Sequence, residues 1–258
     1  MATWQIASWN VNSLRVRLEQ VIEWLQTHQV DVLGLQELKL TDEEFPTAAF
    51  EELGYHCNFT GQKTYNGVAL ISKQPPDDQI LDLPNYDDVQ RRYIAGTYNG
   101  VRVVNVYVPN GQELGSEKFQ YKTEWFDHLK RAMRQDLEQY EKVVLVGDFN
   151  ITPCDLDVHD PAKWQGKIHC SATERLMLQS LMAEGLYDTF RHFNQDGDHF
   201  SWWDYRGGGY RANEGLRIDL ILSSDSALSK ATSCHIDEHP RKLERPSDHT
   251  PVVAAFQL

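Results

Sequence analysis

The run Tyr93-Ile94-Ala95-Gly96-Thr97-Tyr98-Asn99-Gly100-Val101-Arg102-Val103-Val104-Asn105-Val106-Tyr107-Val108 reads as two β-strands joined by Asn-Gly, a dipeptide that accepts the positive φ of a two-residue hairpin turn. The next segment changes period. Ser116 opens a helix with Phe119, Phe126, Leu129, Met133 and Leu137 along one face. The chain then returns as Val143-Val144-Leu145-Val146, a short apolar strand of the kind buried on both sides. A tight hairpin beside a strand reached through a helix predicts an α/β protein with mixed sheets, not a purely parallel doubly wound one.

Working outward, Thr3 to Trp9 alternates as a strand and runs into the loop Asn10-Val11-Asn12. Ser13 is placed to cap a helix whose apolar stripe is Leu14, Leu18, Val21, Ile22 and Leu25, ending near His28. Further strands are expected at Val32 to Gln36, Tyr55 to Thr60, Val68 to Ser72, Ile218 to Leu222, Ala231 to Ile236 and Val252 to Phe256. Ser171 and Glu174 form a capping box for a third helix, which Gly185 terminates. No repeat, low-complexity tract or shift of composition divides the chain, so one domain is expected over residues 1–258.

The 25 Lys+Arg against 38 Asp+Glu give a formal charge of -13, which argues against a generic basic coat for nucleic acid. It does not exclude DNA, because bound divalent cations reverse the local field where a phosphate docks. No stretch approaches the 18 or more apolar residues of a membrane span, so no membrane partner is expected. Four cysteines without CxxC spacing, and a start unlike a signal peptide, make the cytoplasm the expected compartment.

Polar residues collect where predicted strands stop: Asn10, Glu37, Tyr107, Asp148, Asn150, Asp219 and the triplet Ser247-Asp248-His249. Taken singly, an Asp or Asn after a strand is more often a turn former or cap. Together they hold four carboxylates, an imidazole, a phenol and two amides, and hard oxygen ligands suit Mg²⁺ or Mn²⁺. Such a set supplies the base, the water-positioning groups and the cation-assisted charge offset that phosphodiester hydrolysis needs. Asp148 and Asn150 are two apart, so an extended backbone would point both the same way. Asp219 sits in the apolar run Leu216 to Leu222 and needs a partner there, for which His249 is the candidate. Trp202 reads as a stacking surface for a base or sugar, while Trp203 is equally well sheet core. Arg91, Arg92, Arg206, Arg211 and Arg217 are candidate phosphate contacts against the plain reading of a solvated face, and Gly207-Gly208-Gly209 would allow close backbone approach to a strand.

In order, Trp9-Asn10, Leu35-Gln36-Glu37, Asn105 to Gly111, Gly147-Asp148-Phe149-Asn150, Trp202 to Arg206, Leu216 to Leu222 and Ser247-Asp248-His249 resemble the exonuclease III family of DNA repair nucleases across essentially the whole chain. The resemblance implies a four-layer α/β sandwich, with two mixed β-sheets packed face to face and flanked by helices. It implies a Mg²⁺- or Mn²⁺-dependent phosphodiesterase acting, as a monomer, on double-stranded DNA with 3′ ends, nicks or abasic sites. By motif position, Glu37 would be the principal metal ligand, with Asn10 supporting the site and Asp248 near the metals. Asp148 would orient or deprotonate the attacking water, Asn150 hold the phosphate, and His249 with Asp219 polarise a phosphoryl oxygen. Tyr107 would be a phosphate ligand or a proton donor to the leaving group. Arg91, Arg206, Trp202 and His169 are the expected substrate contacts.

His169 departs from the small residue, often Ser or Gly, that the family carries near this place. Two readings stand: an imidazole at the pocket lip that obstructs a flipped-out abasic sugar yet admits a frayed 3′ end, or a solvated loop histidine. A true abasic-site endonuclease, a head-group phosphatase of the same fold group and a silent DNA-binding protein are the competing functions.

Overall fold

The computed structural model describes residues 3–258. Strand β1 (Thr3–Asn10) leads through helix α1 (Leu14–His28) to β2 (Val32–Gln36), then helix α2 (Thr47–Glu51), β3 (His56–Thr60) and β4 (Val68–Ser72). Next come β5 (Gln79–Ile80), the hairpin β6 (Tyr93–Tyr98) and β7 (Val101–Tyr107), helix α3 (Glu117–Gln139) and β8 (Lys142–Asp148). Helices α4 (Pro161–Trp164) and α5 (Ala172–Met182) precede β9 (Leu186–Asp188), β10 (Trp202–Trp203), β11 (Gly215–Leu216), β12 (Asp219–Ser224), β13 (Ala231–Ile236) and β14 (Val252–Gln257).

The strands build two six-stranded sheets, ordered β13-β14-β1-β2-β4-β3 and β5-β6-β7-β8-β12-β9. Both are mixed. β1 runs antiparallel to β14 and parallel to β2, and β7 runs antiparallel to β6 and parallel to β8. The expected hairpin closes at Asn99 and Gly100, with φ of 53° and 76°.

Side-chain alternation then stacks the layers. Ile6, Leu70, Val103, Val146, Ile221 and Ala254 meet between the sheets. Their neighbours point outward: Ala7, Trp9, Leu33 and Leu35 pack against Leu14, Val21 and Leu25 of α1. On the far side Val104, Val106 and Leu145 pack against Phe126, Leu129 and Met133 of α3 and Leu178 and Leu181 of α5. The result is helix, sheet, sheet, helix, the expected four-layer sandwich.

A polar tie crosses the middle of the sandwich. Asn105 Nδ2 donates to the Leu35 and Ala69 carbonyls (3.0 and 2.8 Å), and its Oδ1 accepts from Gln36 Nε2 at 2.7 Å. Gly34 makes room for it, since a Cβ there would lie 3.0 Å from both Asn105 Cγ and Val146 Cγ2.

Several local expectations need correction. Ser13 occupies the position before α1 but makes no side-chain cap; with φ at 90° it instead donates its backbone N–H to the Glu37 carbonyl at 2.8 Å. Gly207 and Gly208 form a turn with positive φ, and a Cβ on either would meet nothing within 4 Å; only Gly209 makes a close approach, a Cβ there falling 2.9 Å from the Asp204 carbonyl oxygen, which lies just past β10 and not in a strand. No helix among the described residues is long and apolar enough to cross a membrane.

Candidate active site

Strand register brings the predicted polar residues to one end of the sandwich. Asn10 pairs with Gln36 in the first sheet, putting Glu37 one residue beyond the edge. In the second, Tyr107 and Asp219 both pair with Asp148. Glu37 turns inward through a left-handed backbone (φ 54°). Across the gap, Glu37, Asp148 and His249 each offer a donor atom within 4.8 Å of the others.

Asn10 joins the two sheets' carboxylates, its Nδ2 donating to Glu37 Oε1 (2.8 Å) and Asp148 Oδ2 (3.0 Å). His249 Nδ1 lies 2.8 Å from Asp219 Oδ2, the pairing expected from a charge in an apolar strand, and Nε2 lies 3.7 Å from Asp148 Oδ2. Ser201 Oγ donates to the same Asp219 oxygen at 2.7 Å. Burial raises the Asp148 carboxyl to about 7, helped by Asp219 and Glu37 and opposed by His249. Burial disfavours the charged form of His249, yet Asp219 and Asp148 outweigh it and push it up to about 10. Tyr107 rises well above its usual value, first through burial and then through the Glu37 charge, so its phenol stays a proton donor.

These features fit a hard divalent cation. Oxygens of Glu37 and Asp148 converge in a space one ion wide, and a cation there would relieve the Asp148 carboxylate, whose charge is opposed first by burial and then by the neighbouring carboxylates. Asp248 stands outside that trio: its oxygens accept from Asn12 Nδ2 (3.0 Å) and Trp202 Nε1 (2.9 Å), so it steers the tryptophan. The backbone between Asp148 and Asn150 is not extended, because Asn150 has φ 49°. A tight turn brings the pair together instead: Asn150 N donates to Asp148 Oδ1 at 2.9 Å, and Asn150 Nδ2 lies 3.4 Å from Oδ2.

The substrate contacts divide. Trp202 is half-buried at the site, while Trp203 is wholly buried, which makes it core. Arg91 pairs with Asp82, and Arg206 pairs with Asp204 at 2.9 Å, both on the exposed surface. Arg217 is no phosphate contact; it is buried between Asp157 (2.6 Å) and Asp188 (2.6 Å). Arg92, not Arg91, reaches the site, lying 4.7 Å from the Tyr107 ring centroid and donating to its carbonyl at 3.1 Å. It also lines an open cleft of about 500 Å³ together with Asn110, Lys118 and Tyr121. Asn110 falls inside the motif run Asn105 to Gly111 with no mark of its own in the sequence, although its Nδ2 donates to Asn150 Oδ1 at 3.3 Å.

His169 is only 6% exposed, which rules out the solvated loop histidine. Its φ is 71°, a conformation that glycine adopts freely and an imidazole-bearing residue does not. Nδ1 lies 2.7 Å from the Asn150 carbonyl, and the ring centroid is 6.4 Å from that of Trp202. Beside them Val158, Cys170, Leu216 and Ile218 form a closed apolar cluster against which Trp202 and Trp164 pack.

A double-sheet sandwich with this donor set at one rim is the layout of a hydrolase for phosphate esters. The endonuclease/exonuclease/phosphatase family model matches residues 7–249, and the chain belongs to that family. It is 37% identical to exodeoxyribonuclease III of Haemophilus influenzae over 97% of this chain and 98% of the relative. It is 30% identical to an exodeoxyribonuclease of Bacillus subtilis over 98% of this chain and 100% of the relative. Among known structures, the 3′ phosphatase NExo from Neisseria, bound to a product DNA hairpin, superposes with a TM-score of 0.97 at 48% identity, covering 99% of this chain and 100% of that one. An AP endonuclease from Archaeoglobus fulgidus superposes with a TM-score of 0.95 at 35% identity, covering 99% and 100%.

Proposed function

We propose that this protein is a divalent-cation-dependent DNA repair nuclease that works from 3′ ends. It removes nucleotides 3′→5′ and trims blocked 3′ termini at ends and nicks of duplex DNA, leaving a 3′-hydroxyl, and incises internal abasic sites poorly. It acts as a monomer in the cytoplasm. The observation that carries the preference is the buried His169 ring beside Trp202, filling the space next to a closed apolar cluster where a flipped-out sugar would lodge. A nucleotide inside a continuous duplex must be extruded to enter such a pocket, whereas a frayed end is already unstacked. The kinship with exodeoxyribonucleases and with a 3′ phosphatase supports the same reading.

In the mechanism, Glu37 would hold Mg²⁺ or Mn²⁺, with Asn10 and Asp248 around it, and the bound ion would offset negative charge on the phosphoryl and leaving oxygens. Asp148, held by Asn10 and the Asn150 backbone, takes the proton of the water that attacks phosphorus in line with the 3′ oxygen. Asn150 spends one amide hydrogen on the Val108 carbonyl (2.9 Å) and directs the other at Asp148 Oδ2 over a long 3.4 Å, a bond weak enough to be exchanged for a phosphoryl oxygen. His249, kept charged and oriented by Asp219, binds that phosphoryl group through Nε2. The protonated Tyr107 donates to the phosphate or to the leaving oxygen. Trp202 offers its ring to the terminal base or sugar, and Arg92 from the cleft, with Arg206 once released from Asp204, contacts flanking phosphates.

The test compares three labelled duplexes in Mg²⁺ and in Mn²⁺: a recessed 3′ end, a 3′-phosphate at a nick, and an internal abasic-site analogue. Degradation or trimming of the first two with little cutting of the third is the expected result. Efficient single incision at the analogue would defeat the 3′-end preference. In His169→Gly, incision at the analogue should rise by about tenfold or more, and no rise would remove His169 from the explanation.

A further inference from the structure

Lys122 lies in α3 and is wholly buried, yet the reaction makes no use of it. An ammonium group is costly to bury unless each hydrogen finds an acceptor. All three do. Nζ donates to the Asn110 carbonyl (3.1 Å), the Asn150 carbonyl (2.8 Å) and Glu174 Oε1 (2.5 Å). Glu174, also wholly buried, accepts the His169 backbone N–H on Oε1 (3.0 Å) and the Ser171 hydroxyl and N–H on Oε2 (2.6 and 3.2 Å).

Three separate stretches of the site therefore hang on one ion pair: the loop after β7 that carries Asn110, the turn after β8 that carries Asn150, and the segment that carries His169. The last gains most. His169 sits in a left-handed backbone that an L side chain resists, and it stays there because Glu174 grips its N–H while Thr152 N donates to its carbonyl at 2.8 Å. Its Nδ1 donates to the same Asn150 carbonyl that Lys122 holds. Burial and the nearby Lys122 charge hold the imidazole down to about 4, so the ring is neutral and the Nδ1 hydrogen is fixed.

We propose that the Lys122–Glu174 pair is a positioning device for substrate selection, pinning His169 beside Trp202 so that internal nucleotides are shut out while 3′ ends are cut. This rests on the 3′-end preference proposed for the site. The consequence is that selectivity belongs to a buried ion pair as well as to the residue at the pocket.

The experiment measures kcat and KM on a recessed 3′ end and on an internal abasic-site analogue for the full chain, Glu174→Gln, His169→Gly and the double variant. Glutamine keeps the size of Glu174 but removes the charge that holds Lys122 and one of the two acceptor oxygens, so either the His169 N–H or the Ser171 N–H loses its acceptor. The ratio of internal to terminal kcat/KM should rise by about tenfold or more in Glu174→Gln and change less than about twofold when the same substitution is added to His169→Gly. An unchanged ratio in Glu174→Gln, or an equal shift with His169 absent, overturns the proposal. If Glu174→Gln does not fold, Ser171→Ala keeps the ion pair and the N–H at position 171 but removes the hydroxyl that holds Glu174 Oε2, loosening the carboxylate that grips the His169 N–H. It should raise the ratio by about threefold or more, and no change there overturns the proposal equally. The unaltered protein's own ratio tests the 3′-end preference separately from these shifts.

Discussion

Asp148 carries two demands at the residue scale, since it must be an anion to accept a proton yet stands buried between two other carboxylates. His249 and the Asn10 amide make that tolerable. Asp148→Asn keeps the shape and removes the base, so turnover should fall by about 10³-fold or more with an unchanged circular dichroism spectrum. Near-normal turnover would exclude Asp148 as the base. In Glu37→Gln the loss should be partly recovered at high Mg²⁺ or Mn²⁺, read from the cation dependence of the rate. Legibility at this scale followed chemical strangeness. Asp219 betrayed its partner because an acid in Leu216 to Leu222 cannot stand alone. Lys122 did not, since a lysine on an amphipathic helix looks like any solvated one, and nothing in Arg91-Arg92 tells which side chain turns toward Tyr107.

Elements were legible wherever burial wrote a period. The Tyr93 to Val108 hairpin, the stripe of α3 and the apolar β8 all stand where alternation or helical spacing placed them. The strands β5, β9, β10 and β11 escaped because two or three residues carry no period, and Ser13 misled because its backbone is committed to the loop after β2. Gly147 shows how a single element fixes the site: its φ is 148°, and a Cβ would come within 2.0 Å of the Val106 carbonyl oxygen. That close approach lets β8 deliver Asp148 beside Tyr107. Gly147→Ala should therefore cost about 3 kcal/mol or more, measured as a lowered urea midpoint with an unchanged slope. A loss under about 1 kcal/mol would mean the strand yields easily.

For the molecule as a whole, the excess of acid is partly spent inside. Asp157 is buried against Arg217 and Arg191, both at 2.6 Å, and although burial opposes its charge the two guanidinium groups hold its carboxyl below the usual range. A carboxyl lowered on folding contributes stability above its unfolded value near about 4 and loses it as pH falls through the folded value. Asp157→Asn should thus destabilise by about 3–5 kcal/mol at neutral pH, and the gap to the unaltered protein should narrow in acid below about pH 4. Equal gaps at about pH 7 and about pH 3, by urea unfolding, would count against this. The hairpin and helix pattern pointed only to mixed sheets in an α/β domain, and the four-layer plan came from the family resemblance carried by the motif order. The internal acid–base network was not legible, because Asp157, Asp188, Arg191 and Arg217 are scattered along the chain and meet only once β9 has paired with β12.

The Asn10 bridge and the His249–Asp219 pair each span from one sheet to the other. Neither sheet holds a complete set of reacting groups, and the Asn105 tie beneath them fixes how the halves meet. A chain emerging from synthesis, or one loosened by heat, therefore has no partly folded form that cuts DNA. For an enzyme whose error is a broken chromosome, the same architecture that assembles the reaction also serves as its safety catch.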